Sequence, residues 1–80
     1  MMNIGLLWYD DDPKKTLERK IGDAVARYQE RFGALPNACH VHGEGTEARR
    51  QASVGERQLA LVPNRAIRAH HYWVGAEQET

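Results

Sequence analysis

The chain has 80 residues, of which 41% are hydrophobic and 28% are charged. Because independent domains seldom fall below about 50 residues, we expect one domain over residues 1–80, with a thin core. The composition excludes collagen-like, low-complexity and fully disordered chains. Eleven Lys and Arg residues balance eleven Asp and Glu residues, and this formal net charge of zero argues against a strongly electrostatic nucleic-acid binder.

One cysteine and one short apolar stretch bear on the cellular compartment. Cys39 has no second cysteine to pair with inside the chain, which fits a reducing cytoplasm. The apolar residues 4–9 follow no basic residue and precede three aspartates, unlike a signal peptide. No stretch approaches the roughly 18 apolar residues of a membrane span. We therefore expect a cytoplasmic protein that does not contact a membrane.

The first predicted elements are a strand and a long helix. Residues 3–10 carry apolar side chains on both faces, which favours a buried strand. Asp12 and Pro13 follow, and these residue types predict the N-cap and the first position of a helix. Gly33 predicts a left-handed C-cap at its other end. The apolar stripe between them consists of Leu17, Ile21, Ala24, Val25, Tyr28 and Phe32.

Three shorter strands are predicted after the helix, over residues 38–42, 58–62 and 69–75, and residues 76–80 form a polar tail that we expect to fray. A strand, a helix and a strand with short connections predict a right-handed crossover that makes the first two strands parallel. The predicted fold class is α/β, with α+β as the alternative. It is a small β-α-β-β-β domain in which one long amphipathic helix covers one face of a four-stranded mixed sheet.

The polar stretch at 43–57 leaves two interpretations open. A structureless connection of this length is uncommon in a compact domain unless it is functional or mobile. In the alternative, Thr46 caps a short helix over residues 47–52 that ends at Gly55.

A single helix can cover only one face of the predicted sheet. The other face must be covered by residues 43–57, by a second copy of the chain or by another protein. Aromatic side chains on an uncovered face would form an interface, and the alternative for each is a place in the small core. The candidate interface residues are Trp8, Tyr9, Tyr72 and Trp73.

Histidines and aspartates form a second candidate site. Asp10 begins a run of three aspartates after the first strand, where α/β proteins often bind ligands, although helix capping also explains such a run. His40 and His42 share one strand face, with roughly 6–7 Å between their Cα atoms. His70 and His71 point to opposite faces, so only one of them can join. We predict Asp10, His40, His42 and His71 as alternative ligands of one divalent transition metal.

The remaining candidates are Cys39 and a set of arginines. Alternation along the strand places Cys39 on the face opposite His40 and His42, so we expect a small buried hydrophobe rather than a nucleophile. Arginines beside Tyr72 or Trp73 could bind phosphates and stack bases, although a solvated mixed-charge surface is the alternative. The candidate nucleic-acid residues are Arg49, Arg50, Arg65 and Arg68.

Two stretches, NIGLLWYDDDP at 3–13 and HHYWVG at 70–75, resemble short bacterial proteins of unknown function, and residues 31–42 are similar in kind. The resemblance spans most of the chain and implies no activity, cofactor or catalytic residue. Phosphate-binding loops, dinucleotide fingerprints, Gly-x-Ser-x-Gly elbows and paired CxxC motifs do not occur in the sequence. We therefore predict a non-enzymatic interaction module without a cofactor, which self-associates as a homodimer or joins a larger assembly. The alternatives are a metal site acting on phosphodiesters and a nucleic-acid accessory protein.

Overall fold

A computed structural model describes residues 2–43, 50–55 and 57–77 of the chain. They form one helix and one five-stranded sheet, so the predicted class is confirmed as α+β with five strands instead of four. The elements are β1 (Met2–Tyr9), α1 (Leu17–Phe32), β2 (Ala38–His42), β3 (Arg50–Val54), β4 (Arg57–Asn64) and β5 (His71–Glu77).

The strands lie in the order β1-β5-β2-β4-β3. β2 and β4 are parallel, and the other neighbouring strands are antiparallel. β1 and β2 therefore run in the same direction, as predicted, but β5 lies between them. The C-terminal strand occupies the position between them, which the sequence did not indicate because local patterns carry no information on such distant contacts.

Residues 50–54 form the strand β3, and the prediction of a loop or short helix at these positions is wrong. β3 pairs antiparallel with β4, with Ala52 opposite Leu59. Gly55 has a φ of +60° and belongs to the turn between the two strands rather than to a helix C-cap. Only alternate residues of β3 face the core, so this edge strand has the polar composition of a loop. Thr46 and the rest of 44–49 lie outside the described residues.

The N-cap of the helix lies four residues after the predicted one. Thr16 is the N-cap, and its hydroxyl accepts a hydrogen bond from the Arg19 N–H at 3.2 Å. Asp12 instead accepts from the Lys14 N–H at 2.9 Å in a turn that precedes the helix. The prediction at Asp12 is therefore wrong, because aspartates stabilise turns and helix starts by the same hydrogen bond. Gly33 is confirmed as a left-handed C-cap with a φ of 70°.

The core lies between α1 and one face of the sheet. The middle of the predicted helical stripe is buried there, while Leu17 and Phe32 at its ends are each 40% exposed. Within the described residues, no helix is long and apolar enough to cross a membrane. The buried cluster consists of Ile21, Ala24, Val25, Tyr28, Cys39, Ala52, Leu59, Leu61, Tyr72 and Val74.

The last strand has the predicted length of seven residues but lies two residues further along the chain than predicted. β5 continues through Ala76 and Glu77, which pair with Ile4 and Met2 of β1. The prediction that the tail frays from Ala76 is therefore wrong for these two residues, because backbone pairing with β1 orders them. Residues 78–80 lie outside the described residues.

Candidate functional site

The sheet face opposite α1, which we call the open face, carries a row of apolar and aromatic side chains. Leu7, Trp73, His40 and Val62 are successive register partners on β1, β5, β2 and β4. The Trp73 and His40 rings meet edge to face with 5.8 Å between their centroids. Leu7, at the outer end of the row, is 58% exposed. Large apolar side chains left accessible on a sheet face are typical of an interaction surface.

Trp73 fills a depression next to this row. Gly5, Gly75 and Ala38 are register partners on three neighbouring strands, and their small side chains leave space above the sheet. The Trp73 indole occupies that space so closely that a Cβ atom on Gly5 would lie 1.7 Å from the indole Cζ2. The position of this ring therefore depends on a glycine at residue 5.

The outer edge of β1 is an unprotected strand edge. Its eight residues, MNIGLLWY, include no charged residue and no proline. The Asp10 N–H donates to the His70 carbonyl at 3.0 Å across to β5, so alternation directs the backbone groups of Gly5, Leu7 and Tyr9 away from β5. Charges and prolines are the usual protection of an edge strand against pairing with another chain. β1 has neither, whereas the other edge strand, β3, is five residues long and begins with Arg50.

The four predicted interface aromatics divide between the two faces of the sheet. Tyr9 and Trp73 lie on the open face, and Tyr9 is 56% exposed. Tyr72 is only 7% exposed and belongs to the core, against which Trp8 also packs. The indole Nε1 of Trp8 is buried and donates to no described residue. Alternation along β1 and β5 separates the pairs, so only Tyr9 and Trp73 are accessible to a partner.

Tyr9 is held in place by its neighbours. Its hydroxyl donates to the Asp11 carboxylate at 2.9 Å, and its ring lies 4.9 Å from the His71 ring. The hydrogen bond to Asp11 raises the pKa of Tyr9, since ionisation would place two negative charges together. Tyr9 therefore stays neutral and presents an oriented aromatic surface.

Asp10 stabilises the connection between β1 and α1. One of its carboxylate oxygens accepts from the Asp12 N–H at 3.0 Å, and the other binds the Lys15 ammonium at 3.1 Å. Lys15 also binds Asp23 at 3.0 Å. The Asp12 N–H, followed by Lys15, holds the pKa of Asp10 below its usual range against the opposing effect of burial. Both oxygens of this predicted metal ligand are therefore occupied by structural contacts.

His40 is fixed by the end of β4. Its Nδ1 lies 2.9 Å from the Asn64 side-chain nitrogen, and the Asn64 oxygen accepts from the Ala66 N–H at 2.8 Å. Because an amide nitrogen only donates, Nδ1 accepts and Nε2 carries the proton. Asn64 thus joins His40 to the connection between β4 and β5, a role that its sequence context did not indicate.

His42 and His71 are oriented by the same connection. The Nδ1 of His42 donates to the Ile67 carbonyl, and the Nδ1 of His71 donates to the Ala69 carbonyl, both at 2.9 Å. A carbonyl only accepts, so the Nε2 atom of each neutral ring retains its lone pair. Each ring is therefore held by one hydrogen bond from its Nδ1 to the backbone, and its Nε2 takes no part in that bond.

The structure does not assemble the predicted metal site. Across residues 2–43, 50–55 and 57–77, no three His, Cys, Asp or Glu side chains are grouped as metal ligands would be. Asp10 is bound by Lys15, and His40 is bound by Asn64. His42 and His71 share the Nδ1-to-carbonyl arrangement that metal-binding histidines use, but the described residues offer them no third ligand.

A cleft of about 240 Å³ lies at the sheet edge where β2 and β4 end and β5 begins. We call it the carboxyl-edge cleft. It is lined by basic and imidazole side chains above an apolar floor, and His70 at its rim has a left-handed φ of 64°, which is unusual for a residue other than glycine. The lining residues are Leu17, Val41, His42, Arg50, Leu61, Pro63, His70, His71 and Tyr72.

The predicted nucleic-acid arginines lie in different places. Arg50 lines the carboxyl-edge cleft, whereas Arg68 lines a cavity of about 460 Å³ on the open face with Leu7 and Trp73. Arg65 lies in the connection between β4 and β5, and Arg49 lies outside the described residues. The two arginines that line cavities therefore do not share one surface.

Cys39 is a core residue, as predicted. Its side chain is fully buried, and burial raises its pKa to about 12. The thiolate needed for nucleophilic chemistry is therefore strongly disfavoured at neutral pH.

The comparisons with known proteins add no relative: no protein-family model matches the chain, and no curated protein or solved structure gives a significant match. Sequence reasoning missed Leu7 and Asn64, and it considered His70 only as an alternative to His71. Leu7 alternates with core-facing Leu6 and Trp8, and this alternation could have identified it as the exposed residue of β1.

Proposed function

We propose that this chain is a small interaction module that forms a homodimer by pairing β1 with β1 of a second copy. The observation that carries the proposal is the uncharged, proline-free outer edge of β1 with Leu7 and Tyr9 exposed beside it. A second copy satisfies the outward backbone groups and covers these side chains in one contact.

The symmetry of the contact defines its register. In an antiparallel pair related by a two-fold axis at Leu7, the two Leu7 residues face each other, and Tyr9 of each copy lies opposite Gly5 of the other. Gly5 has no side chain and lies beside the Trp73 indole. Tyr9 of each copy then packs across Gly5 and next to Trp73, so the aromatic side chains of the two open faces join into one surface.

Charge favours a second copy as the partner. The formal net charge of the chain is zero, so two copies meet without net repulsion. The cavity formed by Leu7, Ala66, Ile67, Arg68, His71 and Trp73 adjoins the β1 edge and offers apolar surface to the incoming chain.

The oligomeric state of the untagged protein tests this proposal. Sedimentation or native mass spectrometry at about 100 µM should give a dimer, a concentration at which micromolar self-association is well populated. Leu7→Lys brings two ammonium groups together at the axis and should give a folded monomer. Ser53→Lys, an exposed position on the other edge strand, is the matched control and should remain dimeric.

Two results would contradict the proposal. A wild-type chain that is monomeric at about 100 µM contradicts the proposed dimer. If the Leu7→Lys variant remains dimeric and the Ser53→Lys variant is monomeric, the dimer contact lies at β3 and not at β1. Circular dichroism of each variant establishes that the fold is retained, so that dissociation is distinguished from unfolding.

A further inference from the structure

We propose that the carboxyl-edge cleft binds a small organic anion, with an oxyanion such as a phosphate ester at Arg50 and an apolar body on the cleft floor. This inference rests on different observations from the dimer, because the cleft is lined by residues of β2, β3, β4, β5, the β4–β5 connection and the first turn of α1. Of these lining residues, His71 alone also lines the open-face cavity beside β1.

The polar lining selects for an anion. Arg50 and three histidines, His42, His70 and His71, line the cleft, and the described lining includes no carboxylate. Arg50 forms no ion pair within the described part of the chain, so its guanidinium is available to an oxyanion, which it can bind through two parallel hydrogen bonds.

Two of the histidines are held at the rim of the cleft. The Nδ1 atoms of His42 and His71 donate to the Ile67 and Ala69 carbonyls, and the His71 ring lies 4.9 Å from the Tyr9 ring on the open face. The oxyanion therefore binds at Arg50, whose charge-assisted hydrogen bonds are the stronger class.

The floor selects for an apolar body. Val41, Leu61, Pro63 and Tyr72 form it, and burial raises the pKa of Tyr72, so its ring stays neutral. Leu17 at the rim is 40% exposed, which a ligand body would cover. A volume of about 240 Å³ suits a single ring bearing one charged group.

The location of the cleft and its local backbone agree with this role. The carboxyl ends of the parallel strands β2 and β4 meet at this edge, where open sheets with parallel strands bind ligands. The left-handed backbone of His70 is the kind of local strain that concentrates at ligand sites.

The test is an NMR titration of the protein with phenyl phosphate. We expect a dissociation constant of about 1 mM or lower, with the shifted amides clustered around the cleft. Benzoate tests whether a carboxylate substitutes for the phosphate, and inorganic phosphate, which lacks the apolar body, should bind about tenfold more weakly. Benzylamine, with the same ring and a positive charge, should not bind.

Variants separate the cleft from the rest of the surface. Arg50→Gln should weaken phenyl phosphate binding about tenfold, while Arg57→Gln, at the start of β4 and outside the cleft lining, should leave it unchanged. Leu17→Ala should weaken it about threefold through lost apolar contact. The Leu7→Lys monomer should bind as the wild type does, so failure of the dimer does not affect this test.

The opposite results would overturn the inference. These are no shifts up to roughly 10 mM phenyl phosphate, affinity unchanged by Arg50→Gln, or equal binding of benzylamine. Zn²⁺ bound at His42 and His71 by a protein that ignores phenyl phosphate would instead make the cleft a metal site.

Discussion

Individual side chains at the carboxyl edge of the sheet have two distinct roles. Asp10 and Asn64 have structural roles. Asp10 bonds the Asp12 N–H and the Lys15 ammonium after β1, and Asn64 bonds the His40 ring and the Ala66 N–H. His42 and His71 are held through one nitrogen and present the other. The carboxylate that sequence context marks as a metal ligand therefore has a structural role, whereas each of these two imidazoles has one nitrogen outside its bond to the backbone.

The role of Asp10 leads to a pH-dependent prediction. Its pKa is lower in the folded than in the unfolded chain, so its contribution to the free energy of unfolding is full above the unfolded value of about 3.9. That contribution disappears as the pH falls through the lower folded pKa. Asp10→Asn keeps an acceptor for the Asp12 N–H but loses the charge opposite Lys15.

Urea unfolding followed by tryptophan fluorescence between about pH 7 and pH 2 measures this effect. We expect Asp10→Asn to be less stable than the wild type near neutral pH, and the difference to vanish at the acid end. Equal stability of the two proteins at pH 7 would show that the Lys15 contact contributes nothing.

The glycine on β1 and the glycine on α1 differ in how much space surrounds them. On β1, Gly5 provides the space that the Trp73 indole occupies. On α1, the nearest atom to a Cβ on Gly22 is the Val54 Cγ1 at 3.7 Å, an ordinary van der Waals distance. The same substitution should therefore have opposite effects in the two elements.

Gly5→Ala should lower the free energy of unfolding by about 1–3 kcal/mol, since the indole must move out of its space. Gly22→Ala should raise it by about 0.5–1 kcal/mol, because alanine is the better helix former. Chemical denaturation measures both, and near-ultraviolet circular dichroism reports the displacement of Trp73 in the first variant. A Gly5→Ala protein as stable as the wild type would mean that the indole does not need this position.

In the described part of the chain, the sheet is fully covered on one face and partly covered on the other. The helix buries the core face, and the connection between β4 and β5 lies over part of the open face, leaving Leu7 and Tyr9 accessible at the β1 edge. A chain of 80 residues buries a small fraction of its surface when it folds alone. Covering this edge with a second copy would therefore add to the free energy of unfolding.

The stability of such a dimer depends on protein concentration. Between about 2 and 200 µM we expect the Tm of the wild type to rise by about 5 °C, because dissociation accompanies unfolding. Scanning calorimetry should show the same rise for Ser53→Lys and a constant Tm for Leu7→Lys. A constant Tm for the wild type would contradict coupling between dimerisation and folding.

Local patterns in the sequence were sufficient for the helix, four of the strands and the burial of Cys39. The helical stripe, the C-cap at Gly33 and the alternation that separates Cys39 from His40 and His42 depend on neighbours a few residues apart. β3 was not predicted because a short edge strand with only one face in the core has the amino-acid composition of a loop. The N-cap was misplaced because Asp12 and Thr16 can make the same local hydrogen bond.

Tertiary structure alone decided the strand order and both candidate sites. β5 separates β1 from β2, which makes β1 an edge and brings Leu7 beside Trp73. The same topology brings Arg50 to His70 and His71 around one cleft, although the histidines follow the arginine by about twenty residues. Such placements follow from pairing between distant segments, whose free energy no local pattern encodes. The residue types were visible in the chain, but which of them meet was settled by the sheet.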